Sequence, residues 1–251
     1  MEMKGNTILI TGGTSGIGLA LAKRFLTHGN TVIVCGRTQS KLEEAKRLLP
    51  DLQTYLYDIS LPEDRVALYQ KVTADFPNLN IVFNNAGIMN FLKLDDPAAW
   101  PRFYQEIATN LEAPIHLSLL FAAHLSSQRN PVILNTTSGL SHVPLVAAPV
   151  YSATKAGLHS FTMSLRTQLA DKGIQVIEIS PPHVNTDLGA PGANEAGMPL
   201  DDFAEAVMAG LSRGDLEITY GFSSQSRDAS AQERELLFQQ LNQPSLVGAA
   251  S

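Results

Sequence analysis

Short, continuously apolar runs separated by longer segments of helical spacing are the feature that most constrains the fold of this 251-residue chain. Runs such as Ile8–Ile10 and Val32–Val34 do not alternate with polar residues. Unbroken apolar strands are typical of a parallel sheet that helices cover on both faces. Because these runs alternate with helical segments along the chain, we expect a doubly wound α/β fold.

The same pattern predicts seven strands and seven helices. The expected strands are Thr7–Thr11, Thr31–Cys35, Thr54–Tyr57, Ile81–Asn84, Val132–Thr136, Gln175–Ile179 and Glu217–Tyr220. The expected helices are Ile17–His28, Gln39–Leu49, Glu63–Asp75, Ala99–Ser127, Tyr151–Asp171, Leu200–Ser212 and Ala231–Leu241. Seven strands in this order fit one sheet that is mostly or wholly parallel.

Composition excludes several classes of protein. The net charge of −6 argues against a broad nucleic-acid-binding surface, which needs clustered excess lysine and arginine. Cys35 is the single cysteine, so no intrachain disulfide can form. The N-terminal residues lack the pattern of a signal peptide, and no apolar run is long enough to span a membrane. We therefore expect a cytoplasmic protein with no membrane or nucleic-acid partner.

Two segments near the end of the chain differ from the rest. Residues 185–199 are rich in glycine, alanine and proline. Too little chain follows them to build a second domain, so we interpret them as a mobile substrate loop rather than a linker. Residues 230–251 are expected to form a C-terminal helix and a frayed tail, and the whole chain, 1–251, is expected to be one domain.

A glycine-rich turn lies between the first expected strand and the first expected helix. Its glycines are spaced G-x₃-G-x-G, which permits a tight turn and close approach of the backbone to a ligand. The helix that follows offers free N–H groups and a positive dipole end to a pyrophosphate. The alternative, an ordinary glycine-rich turn, is disfavoured by this position. The expected cofactor-binding residues here are Gly12, Thr14, Ser15, Gly16, Ile17 and Gly18.

The end of the second expected strand bears on which dinucleotide binds. NAD sites often place an acidic residue there to bind the ribose 2′-hydroxyl. This strand ends in the sequence CGRT, at residues 35–38, and carries no acid. Arg37 could instead pair with a 2′-phosphate through charge-assisted hydrogen bonds. We therefore expect a preference for NADP(H), with NAD(H) still possible; the alternative is that Arg37 is only a solvent-exposed arginine.

A tyrosine and a lysine are spaced for acid–base chemistry. Tyr151 and Lys155 stand at i and i+4, on one face of an expected helix. A neighbouring ammonium favours the phenolate and is expected to lower the tyrosine pKa from its ordinary value near ~10. Ser138 lies just past an expected strand end, where open α/β sheets present ligand-binding groups.

Taken together, these motifs are similar to those of the short-chain dehydrogenase/reductase family, in particular its bacterial-type members that prefer NADP(H). The residues that carry the resemblance are Gly12, Gly16, Gly18, the run Asn84–Gly87, Asn110, Ser138, Tyr151 and Lys155. The resemblance implies a Rossmann-type domain that binds a dinucleotide and carries out catalysis. It implies that Tyr151 is the general acid/base, that Ser138 orients the substrate, that Lys155 holds the nicotinamide ribose and that Asn110 supports a proton-relay water.

The resemblance also implies further cofactor contacts. Those residues are Asp58 at the adenine, Asn85, Ala86 and Gly87 along the cofactor, and Val184 and Thr186 at the carboxamide. The sequence departs from the family at His183, which stands where a glycine is usual. We expect no catalytic role for His183. The remaining histidines show no metal-ligand spacing, so no metal site is expected.

Pro114 gives a physical reason for the importance of Asn110. In an α-helix the N–H of residue 114 would bond to the carbonyl of residue 110. Proline has no N–H, so this carbonyl would stay available to a water that leads toward Lys155. The alternative is a proline kink with only a packing role.

The sequence therefore predicts an NADP(H)-dependent oxidoreductase that transfers hydride between nicotinamide and a carbonyl or secondary alcohol. The alternative is a catalytically silent dinucleotide-binding sensor or scaffold of the same fold. Apolar residues flank the expected site and suggest an apolar or mixed substrate: Met89, Phe91, Leu140, Val143, Leu145 and Leu188. The helix through residues 115–123 is apolar nearly all round, which predicts a homodimer or homotetramer.

Overall fold

A computed structural model describes residues 1–91, 94–192 and 194–243. Its strands form one seven-stranded sheet in the order β3-β2-β1-β4-β5-β6-β7, and every neighbouring pair is parallel. The strands are β1 Thr7–Thr11, β2 Thr31–Gly36, β3 Gln53–Leu56, β4 Ile81–Asn84, β5 Val132–Thr136, β6 Gln175–Ser180 and β7 Glu217–Thr219. The predicted doubly wound α/β fold is confirmed. The strand order reverses between β1 and β4, which is where such sheets open a ligand crevice.

Helices cover both faces of the sheet. They are α1 Gly16–Thr27, α2 Gln39–Leu48, α3 Pro62–Asp75, α4 Trp100–Ile107, α5 Ala113–Leu125, α6 Pro149–Leu169, α7 Leu200–Arg213, α8 Phe222–Asp228 and α9 Ala231–Leu241. Helices α1, α2 and α7 contribute to the apolar core on one face, and α3, α5 and α6 to the core on the other. None of the helices in the described part of the chain is long and apolar enough to cross a membrane.

The apolar strands serve both cores at once. In β1, Ile8 and Ile10 point to the core of α1, whereas Leu9 points to that of α3. In β2, Ile33 likewise points to the α3 side, and all four of these side chains are fully buried. Successive strand side chains face opposite ways, so a two-sided core requires unbroken apolar runs.

One long helix of the sequence prediction is divided. The expected helix Ala99–Ser127 consists of α4, a π-helical turn over Ala108–Glu112, and α5. In that turn the Ala113 N–H donates to the carbonyl of Ala108, five residues back. Pro114 follows immediately and has no N–H to offer to the α-helical ladder. We attribute the change of register to this missing donor.

A short helix that the sequence pattern did not predict supports the segment after β5. Helix α8 buries Ser223 and Ser226 rather than an apolar stripe, so its sequence lacks helical hydrophobic spacing. The Ser223 hydroxyl donates to the Ser180 carbonyl at 2.6 Å, and the Ser226 hydroxyl donates to the Gly139 carbonyl at 3.2 Å. Helix α9 has the predicted bounds. Residues 244–251 of the expected tail lie outside the described residues, as does residue 193 of the expected loop.

Candidate active site

The glycine turn connects β1 to α1 at the carboxyl edge of the sheet. Gly12 has a φ of +64°, and a Cβ on it would lie 2.7 Å from the Cα of Ala86. A Cβ on Gly18 would lie 2.6 Å from the Gly12 carbonyl oxygen. Distances below about 3 Å cannot be accommodated without moving backbone, so both positions require glycine. The turn is therefore shaped for close backbone packing.

The first turn of α1 presents free donors. Ser15 is the N-cap, but its side chain makes no capping hydrogen bond, and the first turn carries no acidic residue. The first N–H to reach back along the helix is that of Leu19, which donates to the Ser15 carbonyl at 3.2 Å. The N–H groups of residues 16–18 thus have no helical acceptor. This arrangement fits an anionic ligand such as a pyrophosphate.

Hydrogen bonds lock the turn to the end of β4. The Thr11 hydroxyl oxygen accepts from the N–H groups of Asn85 and Ala86, at 3.0 and 3.1 Å. The Asn85 amide donates to the carbonyls of Thr11 and Gly12, at 3.0 and 3.2 Å. Thr11 was not among the expected site residues, because its position next to the first glycine did not distinguish it from other strand ends.

The end of β2 lies next to the glycine turn. A Cβ on Gly36 would lie 3.2 Å from the Thr14 methyl group. Arg37 follows directly and is exposed. Asp58, beyond the end of β3, shapes its own loop: its carboxylate accepts from the Ser60 N–H at 2.9 Å. Its contact with the adenine stays a prediction.

The expected catalytic residues converge from separate elements. A Cβ on Gly87 would lie 3.5 Å from both the Asn110 Oδ1 and the Lys155 Nζ. The Lys155 Nζ lies 5.5 Å from the centre of the Tyr151 ring and donates to the Thr136 carbonyl at 2.7 Å. The segment after β4, the π-helical turn and α6 therefore bring these groups close together.

Burial governs the protonation of Tyr151 and Lys155. Burial raises the pKa of Tyr151 above its ordinary value, and the Ser138 hydroxyl partly opposes this rise. Burial lowers the pKa of Lys155 to about 8, while the Glu106 carboxylate acts in the opposite direction. The prediction that Lys155 lowers the tyrosine pKa is wrong for the protein alone. Desolvation of the phenolate has the largest effect on that pKa and raises it, and the Lys155 ammonium donates to the Thr136 carbonyl.

Asn110 holds the segment after β4 in place. Its amide donates to the Ile88 carbonyl at 2.8 Å, and its Oδ1 accepts from the Ile88 N–H at 2.9 Å. It also donates to the Thr154 hydroxyl at 3.3 Å. The side chain is fully buried within the π-helical turn. The α-helical donor position for its main-chain carbonyl is occupied by Pro114, which has no N–H, and a water at this carbonyl stays a prediction.

Ser138 begins a short 3₁₀ turn after β5. Its hydroxyl oxygen accepts from the Leu140 N–H at 3.2 Å, and the turn spans Gly139–Ser141. The Gly139 N–H donates to the Pro181 carbonyl at 3.1 Å, which ties the turn to the end of β6. Ser138 is therefore held from both sides, next to Tyr151.

Glu106 is a site residue that sequence reasoning missed. It is fully buried on α4, and its carboxylate accepts from the Asn90 N–H and side-chain amide, both at 3.3 Å. Burial raises its pKa, and its charge acts on both Tyr151 and Lys155. The only sequence signal is its position one helical turn before Asn110.

The expected loop 185–199 is organised by Asn194, which sequence reasoning also missed. The buried Asn194 amide donates to the carbonyls of Thr186 and Leu188, at 2.7 and 2.8 Å. Its Oδ1 lies 2.8 Å from the His183 Nε2. The unusual histidine therefore has a structural partner.

The same loop contacts both halves of the site. A Cβ on Gly16 would lie 3.5 Å from the Thr186 methyl group, and a Cβ on Gly189 would lie 2.8 Å from the Phe91 ring. Val184, which is buried, forms a parallel bridge with Met198 at the base of the loop. The loop thus extends from the glycine turn to the apolar residues after β4.

The fold and the glycine turn at this edge of the sheet are typical of dinucleotide-binding oxidoreductases, and comparison with known proteins identifies the family. The family model described as short chain dehydrogenase matches residues 6–196. The chain therefore belongs to the short-chain dehydrogenase/reductase family and is an oxidoreductase.

Several individual proteins are similar to it. The uncharacterized oxidoreductase DltE of Bacillus subtilis is 42% identical over 250 residues, covering 96% of this chain and 98% of that protein. The NADP-dependent 3-hydroxy acid dehydrogenase YdfG of Escherichia coli K12 is 30% identical over 178 residues, covering 69% and 71%. A short chain dehydrogenase from Burkholderia cenocepacia, solved with NADP, superposes with a TM-score of 0.82 at 24% identity, covering 97% of this chain and 100% of that one.

Proposed function

We propose that this chain is an NADP(H)-dependent carbonyl reductase or alcohol dehydrogenase in which Tyr151 is the general acid/base. The observation that carries the proposal is the convergence of Tyr151, Lys155, Asn110 and Gly87 at the same sheet edge as the N-terminus of α1, whose first N–H groups have no helical acceptor. When bound, the nicotinamide supplies or accepts the hydride. The protein then has to hold the carbonyl oxygen and move one proton.

Tyr151 is suited to donating that proton in the reductive direction. Because burial raises its pKa, the phenol is protonated at neutral pH and can donate to the oxygen of a substrate carbonyl. Ser138, held by Leu140, would orient the same oxygen. In the oxidative direction the phenolate is needed, and positive charge close to Tyr151 would favour it.

Lys155 and Asn110 would resupply the proton. With a pKa of about 8, Lys155 can exchange a proton near neutral pH more readily than an ordinary lysine. The Asn110 carbonyl, which residue 114 cannot engage, would hold a water next to this lysine. The proton would pass from solvent to Lys155 and on toward Tyr151.

The remaining expected site residues would hold the cofactor. Gly12 to Gly18, with their free N–H groups, would bind the pyrophosphate. Asn85, Ala86 and Gly87 would line the nicotinamide half, and Asp58 would approach the adenine. Val184 and Thr186 would engage the carboxamide, since Thr186 lies beside Gly16.

Arg37 supports a preference for NADP(H) over NAD(H). It is exposed at the end of β2, next to the glycine turn, where it can form charge-assisted hydrogen bonds with a 2′-phosphate. NADP dependence in the printed name of YdfG is in line with this proposal.

Residues 185–199 would act as the substrate loop. Gly189 lies against Phe91 and Met89, so the loop would cover an apolar carbonyl substrate and exclude water from the reacting atoms. Asn194 would set its closed shape through its bonds to Thr186 and Leu188.

A substrate screen tests the proposal. Ketones, aldehydes, secondary alcohols and 3-hydroxy acids are each incubated with the protein and NADPH, NADH or their oxidised forms, and absorbance of the reduced nicotinamide is followed. We expect turnover with at least one carbonyl or alcohol and a faster rate with the phosphorylated cofactor. Tight NADPH binding without turnover of any substrate would favour the sensor or scaffold alternative.

A further inference from the structure

Two histidines and a glutamate meet behind the Ser138 turn, outside the site described above. His142 lies just past that turn, His159 is on α6 two helical turns beyond Tyr151, and Glu217 begins β7. One nitrogen from each histidine and one carboxylate oxygen lie within 4.8 Å of one another. The three residues come from distant parts of the chain, so only the fold brings them together.

Two atoms of this cluster are buried and have no hydrogen-bond partner. They are the His142 Nε2 and the Glu217 Oε1. Buried polar atoms are almost always satisfied, so two unsatisfied ones in the same cluster point to a ligand that binds between them. A metal ion in that position would accept a lone pair from each atom.

The third group is oriented in the way metal-bound histidines are oriented. The His159 Nδ1 lies 2.9 and 3.0 Å from the two carboxylate oxygens of Glu178. Glu178 is 1% exposed and also accepts from the Thr137 hydroxyl at 2.6 Å. A histidine whose Nδ1–H donates to a carboxylate has a lone pair on Nε2, and this carboxylate–histidine pairing is common behind metal ligands.

The charges around the cluster leave it open to a cation. Glu217 and Glu178 contribute two carboxylates. The nearby arginines are engaged elsewhere: Arg227 pairs with Asp228 at 2.7 Å, and Arg166 and Arg234 donate to main-chain carbonyls. The positive charges of these arginines still repel a bound cation. A metal ion that binds nitrogen strongly therefore fits the cluster better than one held by charge alone.

We propose that His142, His159 and Glu217 bind a divalent transition metal ion, with Zn²⁺ the best match. Two imidazole nitrogens and one carboxylate oxygen are a common zinc ligand set, which leaves a fourth position for water. Tetrahedral ligands at about 2.0–2.1 Å from zinc stand about 3.4 Å apart, so the three ligand atoms, which lie within 4.8 Å of one another, would move closer together on binding. The histidines have no metal-ligand spacing along the chain and therefore predict no metal site, because the fold alone brings these three residues together.

Such an ion would join three parts of the active-site scaffold. It would tie the segment after Ser138 to α6, which carries Tyr151 and Lys155, and to the edge strand β7. Its role would be structural, because none of its three ligands is among the groups that gather around Lys155. Metal binding at these residues would depend neither on the proposed substrate nor on the proposed cofactor.

Thermal unfolding of metal-stripped protein tests the site. After EDTA treatment and its removal, one equivalent of Zn²⁺ should raise the Tm by about 5–10 °C, whereas Mg²⁺, which prefers oxygen ligands, should not. Co²⁺ in place of Zn²⁺ should give the visible absorption of a four-coordinate site with one ion per chain.

Variants assign the ion to this cluster. Glu217→Gln keeps the side-chain shape but removes the charge, and His142→Ala removes one nitrogen; both should abolish the zinc-dependent rise in Tm and the cobalt spectrum. His28→Gln, at an exposed histidine on the opposite side of the sheet, is the matched control and should respond like the wild type. No rise in the wild type, or an equal rise in all variants, would overturn the proposal.

Discussion

At the scale of single residues, burial moves the pKa values of Tyr151 and Lys155 in opposite directions, raising the first and lowering the second. The spacing of Tyr151 and Lys155 was readable from the sequence because four residues make about one helical turn. The direction in which the tyrosine pKa shifts could not be predicted from the sequence, because the shift depends on desolvation by residues that the fold packs around the ring. The contacts of Glu106 and Asn194 could not be predicted for the same reason: each residue bonds to partners that only the folded chain brings next to it.

Folding lowers the pKa of Lys155, and this shift predicts that the free energy of unfolding depends on pH. Its pKa is about 8 in the native state and 10.5 in the unfolded chain. Between these values the unfolded chain binds a proton that the native state does not, so raising the pH stabilises the native state. Below about pH 8 the cost of burying the lysine is fully present.

The comparison with Lys155→Met isolates this group. From about pH 8 to about pH 10.5, the unfolding free energy of the wild type should rise relative to that of the variant by about 3 kcal/mol. Urea unfolding of both proteins across this range measures the difference, and groups common to both cancel. A difference that does not change with pH would contradict the assigned pKa.

The proposed contact of Arg37 with the 2′-phosphate predicts how the Arg37→Ala variant uses NADPH and NADH. Removing one charge-assisted contact with a 2′-phosphate in Arg37→Ala should lower kcat/KM for NADPH roughly 10- to 100-fold and leave that for NADH close to wild type. Lys41→Ala, at an exposed cation on α2, is the control. Equal losses of kcat/KM with both cofactors would show that Arg37 does not bind the 2′-phosphate.

At the scale of secondary structure, the strands could be predicted closely, whereas the helices that shape the site could not. Strand bounds agree within about two residues because a short unbroken apolar run between turn signals is typical of a strand buried on both faces. The expected helix Ala99–Ser127 has the right extent, but its hydrophobic spacing contains no signal for a π-helical turn. Helix α8 was missed because it buries serines that bond to Ser180 and Gly139.

The π-helical turn carries a prediction of its own. Pro114→Ala restores an N–H that can engage the Asn110 carbonyl, and it should reduce kcat on the order of tenfold while the protein stays folded. Pro101→Ala is the matched control, since Pro101 lies in the first turn of α4, where no helical acceptor is lost. Steady-state kinetics measures the turnover, and circular dichroism checks that the variant is folded. Unchanged turnover in Pro114→Ala would mean that the proline has only a packing role.

At the scale of the whole molecule, the sheet gathers residues that are far apart in sequence. Residues 12–18, 85–87, 138 and 184–186 follow the carboxyl ends of β1, β4, β5 and β6, and Lys155 on α6 reaches the end of β5 at Thr136. The net charge of −6 gives no hint of the proposed anion site, because the free N–H groups of α1 and Arg37 would act locally. Charge counted over the chain therefore says little about the cofactor.

An apolar outer surface on the helices predicts association. Leu119 on α5 and Met163 on α6 are 66% and 53% exposed. We propose that these helices pair with a second copy of the chain to form a homodimer or homotetramer. Light scattering at micromolar concentration should give a multiple of 27.1 kDa.

Leu119→Glu should reduce that mass toward one chain, because a buried unpaired charge opposes assembly. Leu48→Glu, at a similarly exposed leucine on α2, should not change it. A monomeric wild type would contradict the association.

The proposed function depends above all on proton transfer by Tyr151, and the Tyr151→Phe variant is the sharpest test of that role. Turnover of a substrate from the screen and NADPH binding are measured side by side, with Tyr69→Phe on α3 as the control. Loss of the hydroxyl should reduce kcat roughly 100- to 10,000-fold and leave NADPH affinity close to wild type. Turnover near that of the wild type in Tyr151→Phe would show that Tyr151 is not the general acid/base.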